Sequence, residues 1–448
     1  MSVRWKKMAL TGWGRGPAAD VAAARPERAA DATAAVKKAR EEGAAALARG
    51  AGRSYGDAAQ LAGGRAILTD RLDRILAFDP ATASVECEAG VTFRALLDAF
   101  LPRGFVPPVS PGTAFVTVGG AVAADVHGKN HDRHGSFGDH VEWLDVLLAD
   151  GRIVRTGPDT EPDLFRATLG GMGLTGIVLR VRLRLLPGSP VLQVRETRIR
   201  DLDAFFAAFE AARARATYSV GWIDALASGR SLGRGIFETA EFVPGPAAPA
   251  RKPLRIPFDL PGFALSAPGV RAFNAVYWRR VPKAGREGLR GLDTFFYPLD
   301  RLADWHRLYG RRGFYQFQSV VPDGAALRAV REMLETVASA GNASFLAVLK
   351  TLGGEGRGLL SFPMRGVTLA LDIPRAAGAV ELMARLERIS REAGGRIYLA
   401  KDAAMSAATF AATYPGLPAF EAALARFDPQ GRFASDQSRR LQIGRRAA

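Results

Sequence analysis

The sequence predicts an α+β protein in two parts, and three observations lead there. A chain of 448 residues is too long for a single core, so two domains are expected. Short strands and hairpin signals dominate up to Pro187–Pro190. Beyond that point helices alternate with strands across short turns, the pattern of an antiparallel sheet with helices on one face. Finally, Phe427-Asp428-Pro429-Gln430-Gly431-Arg432-Phe433 reads as a return to the first part. The expected boundaries are 1–188, 189–395 and 396–448.

Each element has its local reason. Arg28 to Glu42 shows helical periodicity, with Gly43 as the residue after the cap. Ala45–Ala48 reads as a strand running into a glycine loop, followed by strands at Ala66–Thr69, Ile75–Phe78 and Ser84–Glu88. Phe93–Leu101 reads as a helix. Leu144–Ala149 and Arg152–Thr156 flank Asp150-Gly151, which suits a type I′ hairpin turn. Ile177–Leu186 alternates as a strand and ends at Pro187-Gly188. In the second part, strands are expected at Val194–Ile199, Tyr218–Asp224, Tyr315–Val321, Phe345–Thr351, Val367–Asp372 and Arg396–Leu399. Helices are expected at Leu202–Arg213, Gly324–Ser339 and Gly378–Ala393.

Composition narrows the class. Hydrophobic content of 48% and charged content of 24% are those of a globular protein. Cys87 stands alone, which excludes a disulfide framework and a thiolate metal site. The basic N-terminus lacks an apolar signal core, and no window reaches the roughly 18 apolar residues of a membrane span. The chain therefore reads as cytoplasmic. Its net charge of +16 favours anionic partners; an arginine-rich genome is the other source of such a charge. No zinc finger, RNA-recognition motif or basic helix supports nucleic acid as the partner.

One stretch, Arg251 to Arg290, carries nine basic residues (Arg251, Lys252, Arg255, Arg271, Arg279, Arg280, Lys283, Arg286, Arg290) against Asp259 and Glu287. Leu254, Phe258, Phe263, Phe273, Tyr277 and Trp278 are interleaved with them. Basic plus aromatic residues suit an anionic membrane surface; a surface lid or an ordinary inter-strand loop is the alternative.

Two loops carry the chemistry. Arg49-Gly50-Ala51-Gly52-Arg53-Ser54-Tyr55-Gly56-Asp57 lacks the third glycine of a dinucleotide fingerprint and the Lys-Ser/Thr of a Walker loop. Its glycines still let backbone N–H groups approach a phosphate. The stretch from His127 to His140 holds four of the five histidines. His127 and His131 have the i, i+4 spacing of zinc helices. Gly128, Gly135 and the absence of a His-Glu-x-x-His motif argue against that reading, and no metal is expected. Between the loops, Pro111-Gly112-Thr113 and Thr117-Val118-Gly119-Gly120-Ala121-Val122-Ala123 form a small-residue segment whose amides suit a pyrophosphate.

Taken in order, Arg-Gly-x-Gly-Arg-Ser-Tyr-Gly-Asp, Pro-Gly-Thr, Val-Gly-Gly, His-Gly-Lys-Asn-His, Gly-Ser-Phe-Gly and a late Tyr-x-Ala-Lys-Asp resemble the vanillyl-alcohol-oxidase-type FAD flavoproteins. Within them the pattern most resembles the decaprenylphosphoryl-β-D-ribose 2′-oxidase group. The resemblance spans nearly the whole chain. It implies an α+β, two-domain FAD-binding fold of the PCMH type with an inserted antiparallel-sheet substrate domain.

It also implies residue roles. Arg49, Gly50, Ala51, Gly52, Arg53, Ser54 and Tyr55, with Gly112, Thr113, Thr117, Gly119, Gly120 and Ala123, would hold FAD. His127, Asn130, Gly135, Ser136, Gly176 and Ile177 complete that set. Arg53 stands where many relatives carry a flavin-linked histidine, so non-covalent FAD is expected. Lys401 matches the residue beside the reacting hydroxyl, with Tyr398 and His127 as further candidates for the base. A surface salt bridge with Asp402 or another acid is the other reading of Lys401. Lys129, Lys350, Gln316, Gln318, Tyr297 and Trp222 match substrate positions, although Tyr315-Gln316-Phe317-Gln318 also alternates as any half-buried strand does. Thr368 and Ala370 replace an asparagine and a cysteine of some members, which alters the pocket wall.

The implied reaction oxidises a secondary hydroxyl, the 2′-OH of a polyprenyl-phosphate-linked pentose. A separate NAD(P)H-dependent ketone reductase would complete an epimerisation at the inner face of an anionic membrane. An oxidase of free sugar alcohols or aldonolactones is the alternative.

Overall fold

A computed structural model describes residues 3–246, 253–261, 265–342 and 344–444. The chain opens on strands β1 (Lys6–Leu10) and β2 (Ala19–Ala24), helix α1 (Ala29–Glu41), and strands β3 (Ala46–Arg49) and β4 (Arg65–Leu68). They form a mixed sheet of order β1-β2-β4-β3, in which β2 and β3 run parallel to β4. Sequence reading missed β1 and β2, because alanine and lysine give a weak strand signal. Gly43 follows the α1 cap at φ +66°, where glycine carries no Cβ penalty.

A second, antiparallel sheet follows. Its members are β5 (Ile75–Asp79), β6 (Ser84–Glu88), β7 (Val141–Leu147), β8 (Ile153–Thr156) and β9 (Ile177–Arg184), in the order β5-β6-β9-β7-β8. Helices α2 (Phe93–Phe100) and α3 (Val118–Ala123) lie between β6 and β7. The β7–β8 turn corrects the expected type I′ geometry. Gly151 N donates to Leu148 O and Leu148 N to Arg152 O, and Gly151 alone in the turn has positive φ, at 90°. This is a three-residue loop closed by a glycine bulge.

The third sheet has eight strands, all antiparallel. It is built from β10 (Val191–Ile199), β11 (Tyr218–Ile223), β12 (Gly235–Val243), β13 (Arg286–Gly291), β14 (Phe314–Pro322), β15 (Ala347–Leu352), β16 (Gly366–Pro374) and β17 (Arg396–Ile397). The order is β13-β10-β12-β11-β15-β16-β14-β17. Helices α4 (Leu202–Arg213), α6 (Asp323–Ala340) and α7 (Ala379–Glu392) pack on one face. Phe205 and Phe209 meet Phe237 there.

On the other face, cross-strand pairs put chemistry in rows: Gln316 opposite Asp372, Gln318 opposite Ala370, Lys350 opposite Thr368, and Trp222 between Val348 and Ile236. Alternation along each strand keeps these side chains on one surface.

Sheet membership changes between Leu186–Pro187, which bridges Phe105–Val106, and Val191. Sequence reading began the returning segment at residue 396, yet β17 pairs with β14 at the edge of the third sheet. The chain comes back later: Phe433 bridges Ala46, and Arg440 forms a bidentate pair with Asp57. Helix α5 (Ala267–Arg279) crosses the Arg251–Arg290 stretch, which sequence reading left without an element. Arg251, Lys252 and Phe263 of that stretch lie outside the described residues.

Candidate active site

A cavity of about 860 Å³ is lined by both glycine loops at one end and by the open face of the eight-stranded sheet at the other. That is the upper end of the range for ligand pockets.

The first loop is shaped by close approach. Gly50 lies where a Cβ would sit 2.3 Å from Thr117 Oγ1, and Thr117 caps α3 by accepting from Gly120 N. Gly52 has φ +64°, and a Cβ there would strike the Arg49 guanidinium. Arg49 itself turns back, donating to Ala59 O at 2.5 Å and to Thr11 O at 2.9 Å. It holds the loop from behind. The N–H groups of Gly50, Ala51, Gly52, Arg53 and Ser54 donate to no other described backbone group, and these residues line the cavity. Consecutive unpaired N–H groups make an anion-binding nest, so the residues present fit a pyrophosphate. Gly112, Thr113, Gly119, Gly120, Ala123, Gly176 and Ile177 line the same end. Arg53 lies with Cζ 4.0 Å above the Trp13 ring and 5.4 Å from Phe115. Its buried Nε has no partner.

The histidine segment divides in two. Only His127 reaches the cavity. Its Nε2 lies 2.9 Å from the Gln318 amide nitrogen, which makes Nε2 the acceptor and puts the proton on Nδ1. That buried Nδ1 has no partner among the described residues. Burial first, then Lys350, holds His127 well below the usual imidazole value, so the ring is neutral at neutral pH.

His131 instead accepts from Gly353 N at 3.0 Å and pairs with Ser136 Oγ at 3.1 Å. Burial pushes it down to about 4. His131 to His134 form one helical turn, and His140 bonds His134 O. Among the described residues no cluster of His, Cys, Asp or Glu is placed to hold a metal ion.

Four expected site residues stand behind the wall rather than on it. Asn130 donates to Pro108 O at 2.8 Å, and Ser136 serves His131. Gly135 ends the helical turn at φ +64°. Tyr297, 1% exposed, donates to Ser110 Oγ at 2.9 Å. Asn130, Ser136 and Tyr297 follow one rule, that a buried polar group goes to whatever partner satisfies it.

The sheet end gathers Gln316, Gln318, Trp222, Lys129, Lys350 and Lys401 with two acids, Asp372 and Glu238. Trp222 Nε1 donates to Phe345 O at 2.8 Å, leaving its ring as wall. Lys129 donates to Phe295 O and lies 4.1 Å over that ring. Burial lowers Lys129 and Lys350 to about 8 each. Lys401 falls to about 7, chiefly through burial and against the pull of Asp372. Its Nζ rests 3.9 Å over the Tyr55 ring.

The alternative partner, Asp402, is committed elsewhere: it binds Arg440 at 2.7 Å and accepts from Ala404 and Met405 N. Tyr398 is a poor base as well. Its hydroxyl donates to Ala124 O at 3.0 Å, and burial pushes it above the usual phenol range.

Sequence reading missed Asp372, Trp13 and the aromatic roof of Phe273 and Tyr277 on α5. Asp372 was findable, since it continues the alternation of Thr368 and Ala370. Three arginines assigned to an outward basic surface turn inward instead. Arg280, Arg286 and Arg290 line the cavity and pair with buried Glu196, and Arg290 also meets Glu238 at 2.9 Å.

The comparisons with known proteins agree with this geometry. Residues 21–157 match the model of an FAD binding domain, and residues 371–441 match that of D-arabinono-1,4-lactone oxidase. The chain is 37% identical to decaprenylphosphoryl-β-D-ribose oxidase of Mycolicibacterium smegmatis, across 97% of either protein. It is 36% identical to an uncharacterized protein of Streptomyces coelicolor, over 79% of this chain and 100% of that one. Similarity to D-arabinono-1,4-lactone oxidase of Yarrowia lipolytica is 27% and covers only 32% of this chain and 28% of that protein. A full-length relative, an FAD domain and a nest of free amides beside half-buried lysines converge: the chain is an FAD-dependent oxidoreductase and belongs to the vanillyl-alcohol-oxidase-type flavoprotein family that includes decaprenylphosphoryl-β-D-ribose oxidase.

Proposed function

We propose that this enzyme oxidises the 2′-hydroxyl of a polyprenyl-phosphate-linked pentose to a ketone, the first half of an epimerisation that a separate NAD(P)H-dependent reductase completes. One observation carries the reading. Three half-buried lysines, Lys129, Lys350 and Lys401, line the cavity with two acids, Asp372 and Glu238, and Glu238 is already paired with Arg290. Positive charge in excess there calls for an anionic ligand, and a substrate phosphate supplies it where a free polyol does not.

FAD, when bound, supplies the hydride acceptor. The nest from Gly50 to Ser54 and the 112–123 segment would hold it. With Arg53 where relatives link a histidine, the bond is non-covalent. Lys401 takes the hydroxyl proton: it is close to half-protonated at neutral pH, which is where a general base works best. Lys350 and Lys129 meet the phosphate through charge-assisted bonds. Neutral His127, fixed by Gln318, lines the cavity.

The lipid chain leaves beside α5, where Leu254, Phe258, Phe273, Val276 and Leu289 are between 49% and 72% exposed. No described helix is long and apolar enough to cross a membrane. The proposed contact is therefore peripheral, at the inner face.

Anaerobic mixing tests the whole reading. Polyprenylphosphoryl ribose should bleach the flavin far faster than free ribose, arabinitol or gulonolactone, which lack the binding energy that positions the hydroxyl. Equal or faster bleaching by a polyol or aldonolactone would make this an oxidase of free sugars, the activity named by the family model that matches residues 371–441.

A further inference from the structure

We propose that Asp372 is the positioning residue of the reaction: at the same end of the cavity, its carboxylate stabilises the ammonium formed when Lys401 takes the substrate proton. The proposal rests on Lys401 as base.

The geometry begins with the carboxylate itself. Asp372 is 1% exposed, on β16, and faces the cavity. Gln316 Nε2, its cross-strand partner, donates to Oδ1 at 2.5 Å, and Tyr309 Oη donates to Oδ2 at 2.9 Å. Tyr309 is held in turn by Ser344 Oγ at 2.8 Å, and Ser344 N donates to Asp372 O. Both oxygens are thus fixed by neutral donors. Among the described residues no cation lies within 4.0 Å of this buried acid. Such a carboxylate depends on a more distant positive charge.

Lys401 is the matching half. Its Nζ makes no ion pair among the described residues and rests on the Tyr55 ring. That ring packs edge-on against Phe314, which precedes Gln316 by two residues on the same strand. The lysine and the acid therefore occupy one end of the cavity with no bond between them. The groups around the pair are Tyr55 from the glycine loop, Gln316 from β14, Tyr309 from the turn before it, Lys350 from β15 and His127. Of these, Lys350 is the only other cation, and it opposes protonation of Lys401. Asp372 is the only group that favours it.

The step balances simply. The O–H bond of the substrate breaks and an N–H bond forms on Lys401; the C–H bond at the same carbon breaks as the C=O bond forms, and bound FAD would supply the acceptor for the hydride. A carboxylate that stays ionised while its neighbour gains charge plays the part of the aspartate in a hydrolase triad.

The test uses the FAD-loaded enzyme with its lysines converted to ¹³C-dimethyl form, the Lys401 resonance being assigned by its loss in Lys401→Ala. In Asp372→Asn, flavin colour should remain. The Lys401 resonance should titrate at least about one pH unit lower than in wild type, as expected when an opposite charge is removed. The plateau rate of substrate-driven bleaching should fall about tenfold or more. Tyr309→Phe, which removes one donor from the carboxylate, should move the titration the same way by less, and it carries the test if the asparagine variant does not fold. An unchanged Lys401 titration in the variants that fold overturns the proposal. The titration needs no substrate. If it shifts while polyprenylphosphoryl ribose leaves wild-type flavin oxidised, the substrate reading fails and the pairing of Asp372 with Lys401 stands.

Discussion

The acid limb of the rate profile is where the site's electrostatics become measurable. Burial brings Lys401 from 10.5 to about 7. An ordinary lysine at pH 7 is neutral in roughly three molecules per ten thousand, whereas this one is neutral in about half, a gain of roughly 1,500-fold in competent base. The sign follows from the direction of the shift. Neutral lysine accumulates as pH rises through about 7, so kcat/KM for anaerobic flavin reduction should climb about tenfold per unit below that point and level off above it.

His127 is a poor source of this limb, because burial holds it well below the usual imidazole value. Asp372, raised by burial to about 6, titrates nearby, so a second variant separates the two. Arginine stays protonated across the range, and Lys401→Arg should therefore erase the limb and lower the plateau by about 10²–10⁴-fold, the usual worth of a general base. Stopped-flow bleaching from about pH 5.5 to 9.5 measures both. A flat wild-type profile, or a limb that persists in Lys401→Arg, would refute the assignment of Lys401 as base.

Four further outcomes are expected. Lys401→Met should raise the melting temperature of the apoprotein, and most at low pH: the folded value lies below the unfolded one, so the cost of burying the charge is complete below about 7 and fades as pH approaches 10.5. Gly56→Ala should destabilise the fold by about 1–3 kcal/mol or more and reduce FAD content, because its Cβ would lie 1.9 Å from Asp402 O; an unchanged melting temperature would contradict the packing. Acid precipitation should leave the yellow colour in the supernatant, since Arg53 cannot form the link that a histidine makes; flavin in the pellet would reverse that reading. Binding to anionic vesicles should be modest and salt-sensitive. Arg255, Arg280, Arg286 and Arg290 are ion-paired, which among the described residues leaves Arg271, Arg279 and Lys283 to contribute about 1 kcal/mol each, and equal sedimentation with neutral vesicles would count against the surface.

What was legible in the sequence is what local physics writes there. Alternation over Tyr315–Val321 and Val367–Asp372 marked two strands whose inward residues floor the cavity. The glycines of residues 50–56 announced a loop that side chains would close. The motif order then ran through His127, Lys129 and Lys401, which the fold brings to one cavity.

What stayed hidden depends on register. Nothing near Asp372 says that Gln316, 56 residues earlier, stands opposite it. Nothing in a run of arginines says that Glu196 and Glu238 wait inside to turn three of them inward. Asn130 and Tyr297 show the reverse error. Asn130 belongs to a motif expected at the cofactor and Tyr297 to the expected substrate positions, yet each spends its hydrogen bond on a neighbouring loop, Asn130 on Pro108 and Tyr297 on Ser110. A motif marks the neighbourhood of a site because the lining and its supports must both be specified. Which side chain faces the ligand and which holds the wall is settled by tertiary pairing: strand register puts Asp372 in front, and the bond to Ser110 holds Tyr297, at the end of a short helix, behind.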